Sequence, residues 1–211
     1  MELTRLVLAS GNSGKLAELS DLLAPLGIRL QAQSELGVTE AEEPHPTFIE
    51  NALAKARRAS RLTGLPALAD DSGLCVRALG GRPGVLSARW ASAGADDTET
   101  TDRRLRDEAN NARLVRELEG CTDRRAWFYC VLVLMRAADD PQPIVADASW
   151  AGEVLHAPRG SGGFGYDPWL WIPALGCSAA ELDAPTKNRL SHRGQAMRIL
   201  LERLRATCGP D

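Results

Sequence analysis

Leu16, Leu19, Leu22, Leu23 and Leu26 recur at the three- and four-residue spacing of a helix face, and a short apolar run at 5–10 precedes them. That pattern predicts a buried strand, a glycine-broken turn and an amphipathic helix stopped by Gly27. Residues 28–32 have the pattern of a second strand. After the acidic, proline-containing loop "TEAEEPHP", the stretch "TFIE" at 47–50 is a capping box. Thr47 and Glu50 there satisfy each other's end of a helix running to about Thr63. "LPALADDSG" predicts a short buried strand ending in acids and a turn, and "LGGRPGVLSARWA" a glycine-rich loop leading to another strand. Residues 98–119 are charged and helical. "AWFYCVLVLM" at 126–135 and "PIVADASWAGEVL" at 143–155 read as long strands that pair through the turn "AADDPQ". "PRGSGGFGYDPWLWIP" is a glycine loop running into an aromatic strand, and a last helix spans about His192 to Arg205. No internal repeat or low-complexity linker interrupts this order. Strands and helices alternating in this way predict an α/β fold on a mixed sheet, in one large domain or two close lobes over residues 1–211.

Composition narrows the class of partner. The 25 basic and 28 acidic residues give a net charge of −3, which exerts no overall pull on nucleic acid or anionic membrane. A small anionic substrate therefore needs a local basic site. The chain opens without a signal-peptide pattern and has no apolar run near the ~18 residues that span a bilayer, so a cytoplasmic protein is expected. Cys75, Cys121, Cys130, Cys177 and Cys208 include no C-x-x-C pair, which predicts neither a disulfide framework nor a zinc knuckle but mostly buried small hydrophobes. Only Lys15, Lys55 and Lys187 are lysine among the 25 basic residues, so their positions carry weight.

The first candidate for chemistry is the turn in "LVLASGNSGKLAEL". Set against the phosphate-loop template G-x-x-x-x-G-K-[ST], it has Ala9 where the first glycine belongs and Leu16 where the magnesium-holding hydroxyl belongs. It is not a P-loop, yet a helix N-terminus preceded by small residues and flanked by Lys15 attracts an anion of any sort. Asp70 and Asp71 stand at the predicted strand end, where ligands gather in α/β folds, and adjacent carboxylates are costly unless a cation or proton lies between them. The pair is either a metal site or general base, or an Asp-Ser-Gly turn with one capping and one solvated acid. Glu42 and Glu43 are either hard oxygen ligands of the type magnesium takes beside phosphates, or a solvated acidic loop.

Lys55 shares a helix face with Asn51, four residues earlier, and on its own is equally an exposed lysine. Phe164 in "GGFGYDP" lies among flexible glycines, where it either stacks on a base or packs in the core. "TKNRLSHRG" brings Lys187, Ser191, His192 and Arg193 to a helix start, either as a donor cluster or as an N-cap by Ser191 with an exposed basic turn. His45 and His156 have no partner at ligand spacing.

Taken together, "ASGNSGKLAEL", "EE" with "TFIENALAKA", "ALADDSGLCVRALGGRPGVLSARWA", "GGFGYDP" and "SHRGQAM" resemble the inosine triphosphatase-like dITP/XTP pyrophosphatases, in order and approximate spacing, from residue 5 to 205. The resemblance implies an elongated mixed sheet with helices forming two lobes and an active cleft between them, in a homodimer. It implies hydrolysis of inosine, deoxyinosine and xanthosine triphosphates to monophosphate and pyrophosphate with magnesium, which keeps deaminated purines out of nucleic acid. Carried over by position, Ser10, Gly11, Asn12, Ser13, Gly14 and Lys15 hold the triphosphate. Asp71 is the proton acceptor and a metal ligand, and Ser72 touches substrate. Phe164, Gly165, Tyr166, Asp167, Lys187, His192 and Arg193 form the base pocket, and Glu43, or Glu42 beside it, helps to place the metal. Lys15 and Lys55 are expected to contact phosphates rather than to stabilise the fold. Ser10 stands where threonine is common and keeps the hydroxyl, while residues 94–124 carry little of the pattern. The septum-inhibition-like nucleotide pyrophosphatases open similarly but lack the "SHRG" ending, and a regulatory nucleotide-binding module would need neither Asp71 nor metal.

Overall fold

The first apolar run and the leucine face after it are β1 (Arg5–Leu8) and α1 (Ser13–Leu23) in a computed structural model that describes residues 3–92 and 102–207. Leu19 and Leu23 are buried on α1, and one tighter turn, Ala24–Leu26, carries the helix to Gly27. β2 (Arg29–Ala32), α2 (Phe48–Thr63) and β3 (Ala67–Val76) follow, then α3 (Arg103–Glu117), β4 (Arg125–Met135) and β5 (Ile144–Val154). Short strands β6 (Leu170–Ile172) and β7 (Cys177–Ser178) precede α4 (Ala184–Leu190) and α5 (His192–Thr207).

The seven strands form one sheet in the order β2-β1-β3-β4-β5-β6-β7. β1 pairs in parallel with β2 and β3, whereas β6 pairs antiparallel with β5 and β7, so the sheet is mixed as expected. Parallel neighbours require a crossover, and α1 and α2 supply the connections among β1, β2 and β3.

The chain divides into two compact units. The first comprises Met1–Asp71, Cys130–Ala148 and Asn188–Asp211, and the second Ser72–Tyr129 and Ser149–Lys187. The first unit's core joins Leu6 and Leu8 of β1, Leu19 and Leu23 of α1, Leu68 of β3, and Leu132 and Leu134 of β4. Ala196, Met197 and Leu200 of α5 complete it. Truncating one such leucine to alanine costs ~2–5 kcal/mol, because the transfer term and the residual cavity add. In the second unit, Trp90, Leu114, Leu118 and Tyr166 are buried. Asn110 ties α3 down there: its Oδ1 accepts the Ala91 N–H (2.6 Å) and its Nδ2 donates to the Ala88 carbonyl (3.1 Å).

Three local expectations differ from the structure. "ADDSG" is not a turn, because β3 runs through it for ten residues. The stretch after it enters no new strand but two tight helical turns, Arg77–Leu79 and Gly84–Arg89. Gly73 allows the second to lie against β3, since a Cβ there would meet the Gly84 carbonyl and Ser87 Oγ at 2.4 Å. β7 and α4 form where no element was expected. Cys75 and Cys130 are buried, and Cys121 and Cys177 are half-buried; Cys208 and the start of the expected 98–119 helix lie outside the described residues.

Candidate active site

The first unit builds its site on the middle of β3. Successive strand residues face opposite sides of a sheet, so the adjacent acids separate rather than share one cation. Asp70, fully buried, takes Lys15 Nζ on Oδ1 (2.5 Å) and Arg193 Nε on Oδ2 (2.7 Å). The buried Cys130 Sγ donates to the same Oδ2 at 3.3 Å. Asp71 turns to α2, where Lys55 Nζ meets its Oδ1 at 2.8 Å. Both ammonium groups also donate to the Asp70 backbone carbonyl, Lys55 at 3.1 Å and Lys15 at 3.4 Å, so the two lysines converge on one peptide group.

Electrostatics then diverge along the strand. Burial alone would raise the Asp70 carboxyl, but Arg193 and Lys15 outweigh it and hold the group well below the ordinary carboxylate range. Asp71 goes the other way: burial raises it, the neighbouring Glu43 adds to the rise, and Lys55 and Lys15 only partly oppose it. An aspartate kept basic in this way is the better proton acceptor of the two.

Lys15 reaches Asp70 from the turn before α1. Asn12 caps the helix by accepting the Lys15 N–H on Oδ1 (3.1 Å), and Ser10 Oγ accepts the Asn12 N–H (3.2 Å). The Gly11 N–H is taken by a carboxylate, Glu40 Oε1, at 2.8 Å, and a Cβ on Gly11 would collide with that oxygen. Ser13 is exposed and Gly14 half-buried at the helix start. One helical turn beyond Lys15, Glu18 Oε2 holds Arg193 Nη1. Lys15, Asp70, Arg193 and Glu18 thus close a ring of alternating charge through α1, β3, α5 and back to α1.

The acidic loop is carried by α2. Thr47 Oγ1 accepts the Glu50 N–H (3.3 Å) and donates to Glu50 Oε2 (2.5 Å), a side-chain variant of the expected box. Asn51 Oδ1 accepts the His45 N–H (3.0 Å) and its Nδ2 donates to the His45 carbonyl (3.1 Å), which pins the loop two residues after Glu43. Glu43 Oε1 then reaches Lys55 Nζ at 2.8 Å, while Glu42 is exposed. The face shared by Asn51 and Lys55 is therefore buried, and Lys55, 7% exposed, is not a surface lysine. Burial depresses its ammonium, yet Asp71 and Glu43 raise it above the usual lysine value overall.

Whether a divalent metal suits this corner can be judged from Asp71. Its Oδ2 is buried and has no hydrogen-bond partner among the described residues, an arrangement that is costly without a cation or water. No group of three or more His, Cys, Asp or Glu able to hold a metal occurs among the described residues. Magnesium asks for less, since it takes one or two carboxylates and fills its octahedron with phosphate oxygens and water. Asp71 and Glu43, joined through Lys55, fit that requirement.

Ser191 Oγ accepts the Gly194 N–H (3.2 Å), so the capping alternative at the start of α5 holds, but the turn it caps is buried at His192 and Arg193 rather than exposed. Of the donors gathered there by sequence, Arg193 is engaged by Asp70 and Glu18 in the first unit, and Lys187 belongs to the second.

The second unit holds the aromatic loop. Asp167 Oδ2 accepts the Phe164 N–H (2.7 Å) and the Lys187 ammonium (2.7 Å), both carboxylate and ammonium being buried. Lys187 Nζ and the Arg103 guanidinium lie 4.8 and 4.7 Å from the Phe164 ring centroid. Gly165 is left-handed (φ 61°), and both its backbone groups are bound by α3: its N–H donates to Asp107 Oδ2 and its carbonyl accepts from Asn111 Nδ2, each at 3.1 Å. The buried Tyr166 hydroxyl donates to the Ser87 carbonyl at 2.9 Å. Ser72 is half-buried on β3.

The Ham1 family model matches residues 6–203. The chain belongs to the Ham1 family. It is 63% identical over 201 residues to a dITP/XTP pyrophosphatase of Ralstonia nicotianae, covering 95% of this chain and 96% of that one. With the dITP/XTP pyrophosphatase of Bordetella pertussis it shares 60% identity over 208 residues, 99% of this chain and 94% of the relative. The solved HAM1 protein of Coxiella burnetii superposes with a TM-score of 0.83 at 45% identity, covering 96% of this chain and 98% of that one. The Ham1 protein of Staphylococcus aureus gives a TM-score of 0.80 at 34% identity, covering 96% and 99%.

Several residues of this Ham1 chain's site escaped sequence reasoning. Glu18 was within reach, since it lies three residues after Lys15 and so on the same helix face. Asn51 is marked in the sequence only by its shared face with Lys55. Cys130, Arg103, Asp107 and Asn111 carry no spacing signal, because their partners are 60, 61, 58 and 54 residues away.

Proposed function

We propose that the chain hydrolyses purine nucleoside triphosphates bearing deaminated bases, inosine, deoxyinosine and xanthosine triphosphates, to the monophosphate and pyrophosphate. The observation that carries this is the middle of β3, where two lysine ammoniums converge on one carbonyl beside an aspartate raised above its usual pKa with one buried oxygen unpartnered. Relatives named dITP/XTP pyrophosphatase over nearly the whole chain support the same reaction.

The roles follow from what each group can do. The turn Ser10 to Lys15 presents the positive end of α1 and the Lys15 ammonium to phosphate oxygens. Lys15 and Lys55 neutralise charge that develops as water attacks the α-phosphorus and pyrophosphate leaves, a reaction in which positioning and charge stabilisation do most of the work. Asp71 orients the attacking water and takes its proton. Magnesium, held by Asp71 and Glu43, would supply Lewis-acid neutralisation of the phosphates. Glu42 is exposed and Glu43 is bonded to Lys55, which favours Glu43 as the second ligand. Ser72 follows Asp71 and is assigned to the substrate.

Phe164 stacks on the base, Lys187 donates to an acceptor on its edge, and Gly165, Tyr166 and Asp167 fix that loop. In the first unit, Arg193 holds Asp70, and through it Lys15, and His192 beside it is assigned to the substrate. The reading includes a homodimer, which light scattering of the purified protein tests.

The deciding experiment incubates the purified protein with inosine triphosphate and magnesium in ¹⁸O-labelled water. Pyrophosphate and labelled monophosphate are the expected products. Label in orthophosphate, with a diphosphate nucleoside, refutes the reading.

A further inference from the structure

Three side chains on successive turns of α3, Arg103, Asp107 and Asn111, face the loop that carries Phe164. Spaced four apart, they lie in one row on the helix. Asp107 and Asn111 grip the two backbone groups of Gly165 at 3.1 Å each. Arg103 lies 4.7 Å from the Phe164 centroid and 3.9 Å from Asp107. The rest of the loop has other anchors: the Phe164 N–H donates to Asp167 three residues on, and the Tyr166 side-chain hydroxyl donates to the Ser87 carbonyl.

The row is a poor choice for stability alone. Asn111 Oδ1 is buried with no partner among the described residues, and burial raises the Asp107 carboxyl against the pull of the Gly165 N–H, Arg103 and Arg106. An apolar residue at either position would spare that desolvation cost but leave one Gly165 backbone group without its side-chain partner. What the polar pair provides instead is a fixed orientation of a left-handed glycine peptide, and with it the plane of the ring one residue earlier.

We infer that Asp107 and Asn111 are positioning residues for purine binding, setting through Gly165 the orientation of Phe164, with Arg103 as the cation packed on that ring. The inference rests on the proposed function for the identity of the base but not for the geometry. α3 thereby becomes a base-positioning element of the second unit rather than a packing helix.

The test compares Asp107→Ala, Asn111→Ala and Asn111→Asp with the wild type in two assays. Calorimetry reads the binding of inosine monophosphate, and steady-state kinetics read inosine triphosphate turnover with pyrophosphate as inhibitor. Each variant is expected to weaken the monophosphate and to raise KM about tenfold, as loss of one hydrogen bond to a positioned group does, with kcat and the inhibition by pyrophosphate little changed. Asp107→Asn keeps an acceptor for the Gly165 N–H and is expected to recover most of the affinity lost in Asp107→Ala. Asn111→Asp preserves shape while removing the donor, so it remains readable if the alanine variants unfold. Unchanged monophosphate affinity in folded variants overturns the inference, as does weakening of pyrophosphate in the same proportion, which marks general loosening. A wild type that binds the monophosphate but releases no pyrophosphate sinks the proposed reaction alone, since the binding assay still decides the role of α3.

Discussion

A one-residue step along β3 turns Asp70 and Asp71 to opposite faces, and their chemistry diverges with their partners. Asp70, clamped by Arg193 and Lys15, is held well below the ordinary carboxylate range. Asp71 is raised and has an oxygen to spare, so Asp71→Asn should lower kcat by ~10²–10⁴, the usual contribution of a general base; Lys55 keeps Glu43 and the amide oxygen, so the melting temperature should fall far less than on loss of the lysine. Near-normal turnover in a folded variant would remove Asp71 from the chemistry. Lys55 requires a change of expectation. A phosphate-binding lysine on a surface could be cut to alanine without loss of stability, but Lys55 is buried between two carboxylates. Removing one partner of a buried ion pair costs ~3–5 kcal/mol, so Lys55→Ala should lower Tm by roughly 10 °C as well as weaken pyrophosphate. A calorimetric scan matching wild type would return it to a purely ligand-facing role.

At the scale of elements, the turn between β4 and β5 carries its own lock. Asp140 accepts Arg136 Nε and Nη2 at 2.8 and 2.7 Å, together with the backbone N–H groups of Arg136 and Gln142 at 3.0 Å. Those donors, the Arg136 side chain first, hold the Asp140 carboxyl below its ordinary value. A depressed carboxylate stabilises the fold above its unfolded pKa and loses that contribution as pH falls through the folded value. Asp140→Asn should therefore be less stable by about 1–2 kcal/mol at neutral pH, allowing for the screening of the half-exposed Arg136. The two melting curves should converge as pH drops below the ordinary carboxylate range. A difference that persists at low pH would mean that shape, not charge, fixes the turn.

The same scale separates what the sequence made legible from what it hid. Helices α1 and α2 announce themselves because leucine spacing and the Thr47–Glu50 cap are local properties. β3 misleads because Asp, Ser and Gly are turn formers in isolation; the cations that let two acids lie within a strand come from α1, α2 and α5. The tight turns at Gly84–Arg89 likewise depend on a close approach at Gly73, which no periodicity announces. Of the site, the lysines and the acids were legible as residue types, whereas the choice of Lys55 for Asp71 and of Arg193 for Asp70 is tertiary.

For the whole molecule, the prediction is selectivity. Hypoxanthine and xanthine present a carbonyl at the purine 6-position where adenine presents an amino group, so a donor such as Lys187 satisfies the first two and confronts the third with like against like. Mispairing of buried polar groups can discriminate by up to ~10⁴–10⁵, far more than shape alone. Inosine triphosphate should therefore exceed adenosine triphosphate strongly in kcat/KM, and Lys187→Ala should collapse that ratio. Phe164→Ala should weaken all three nucleotides alike, since stacking is indifferent to the base. Equal use of adenosine and inosine triphosphates by the wild type would end the donor assignment while leaving the enzyme class intact.

The first unit is assembled from three stretches of chain, and Asp70 is separated from Arg193 by 123 residues. On a translating ribosome, at ~5–20 residues per second, that gap lasts roughly 6–25 s. Throughout it Asp70 has Lys15 to hand but not the guanidinium that shares its burial, and Ala196, Met197 and Leu200 have yet to cover the leucines of α1 and β4. The unit made first is therefore the one sealed last, and a stalled nascent chain ending before Arg193 should leave α1 open to protease.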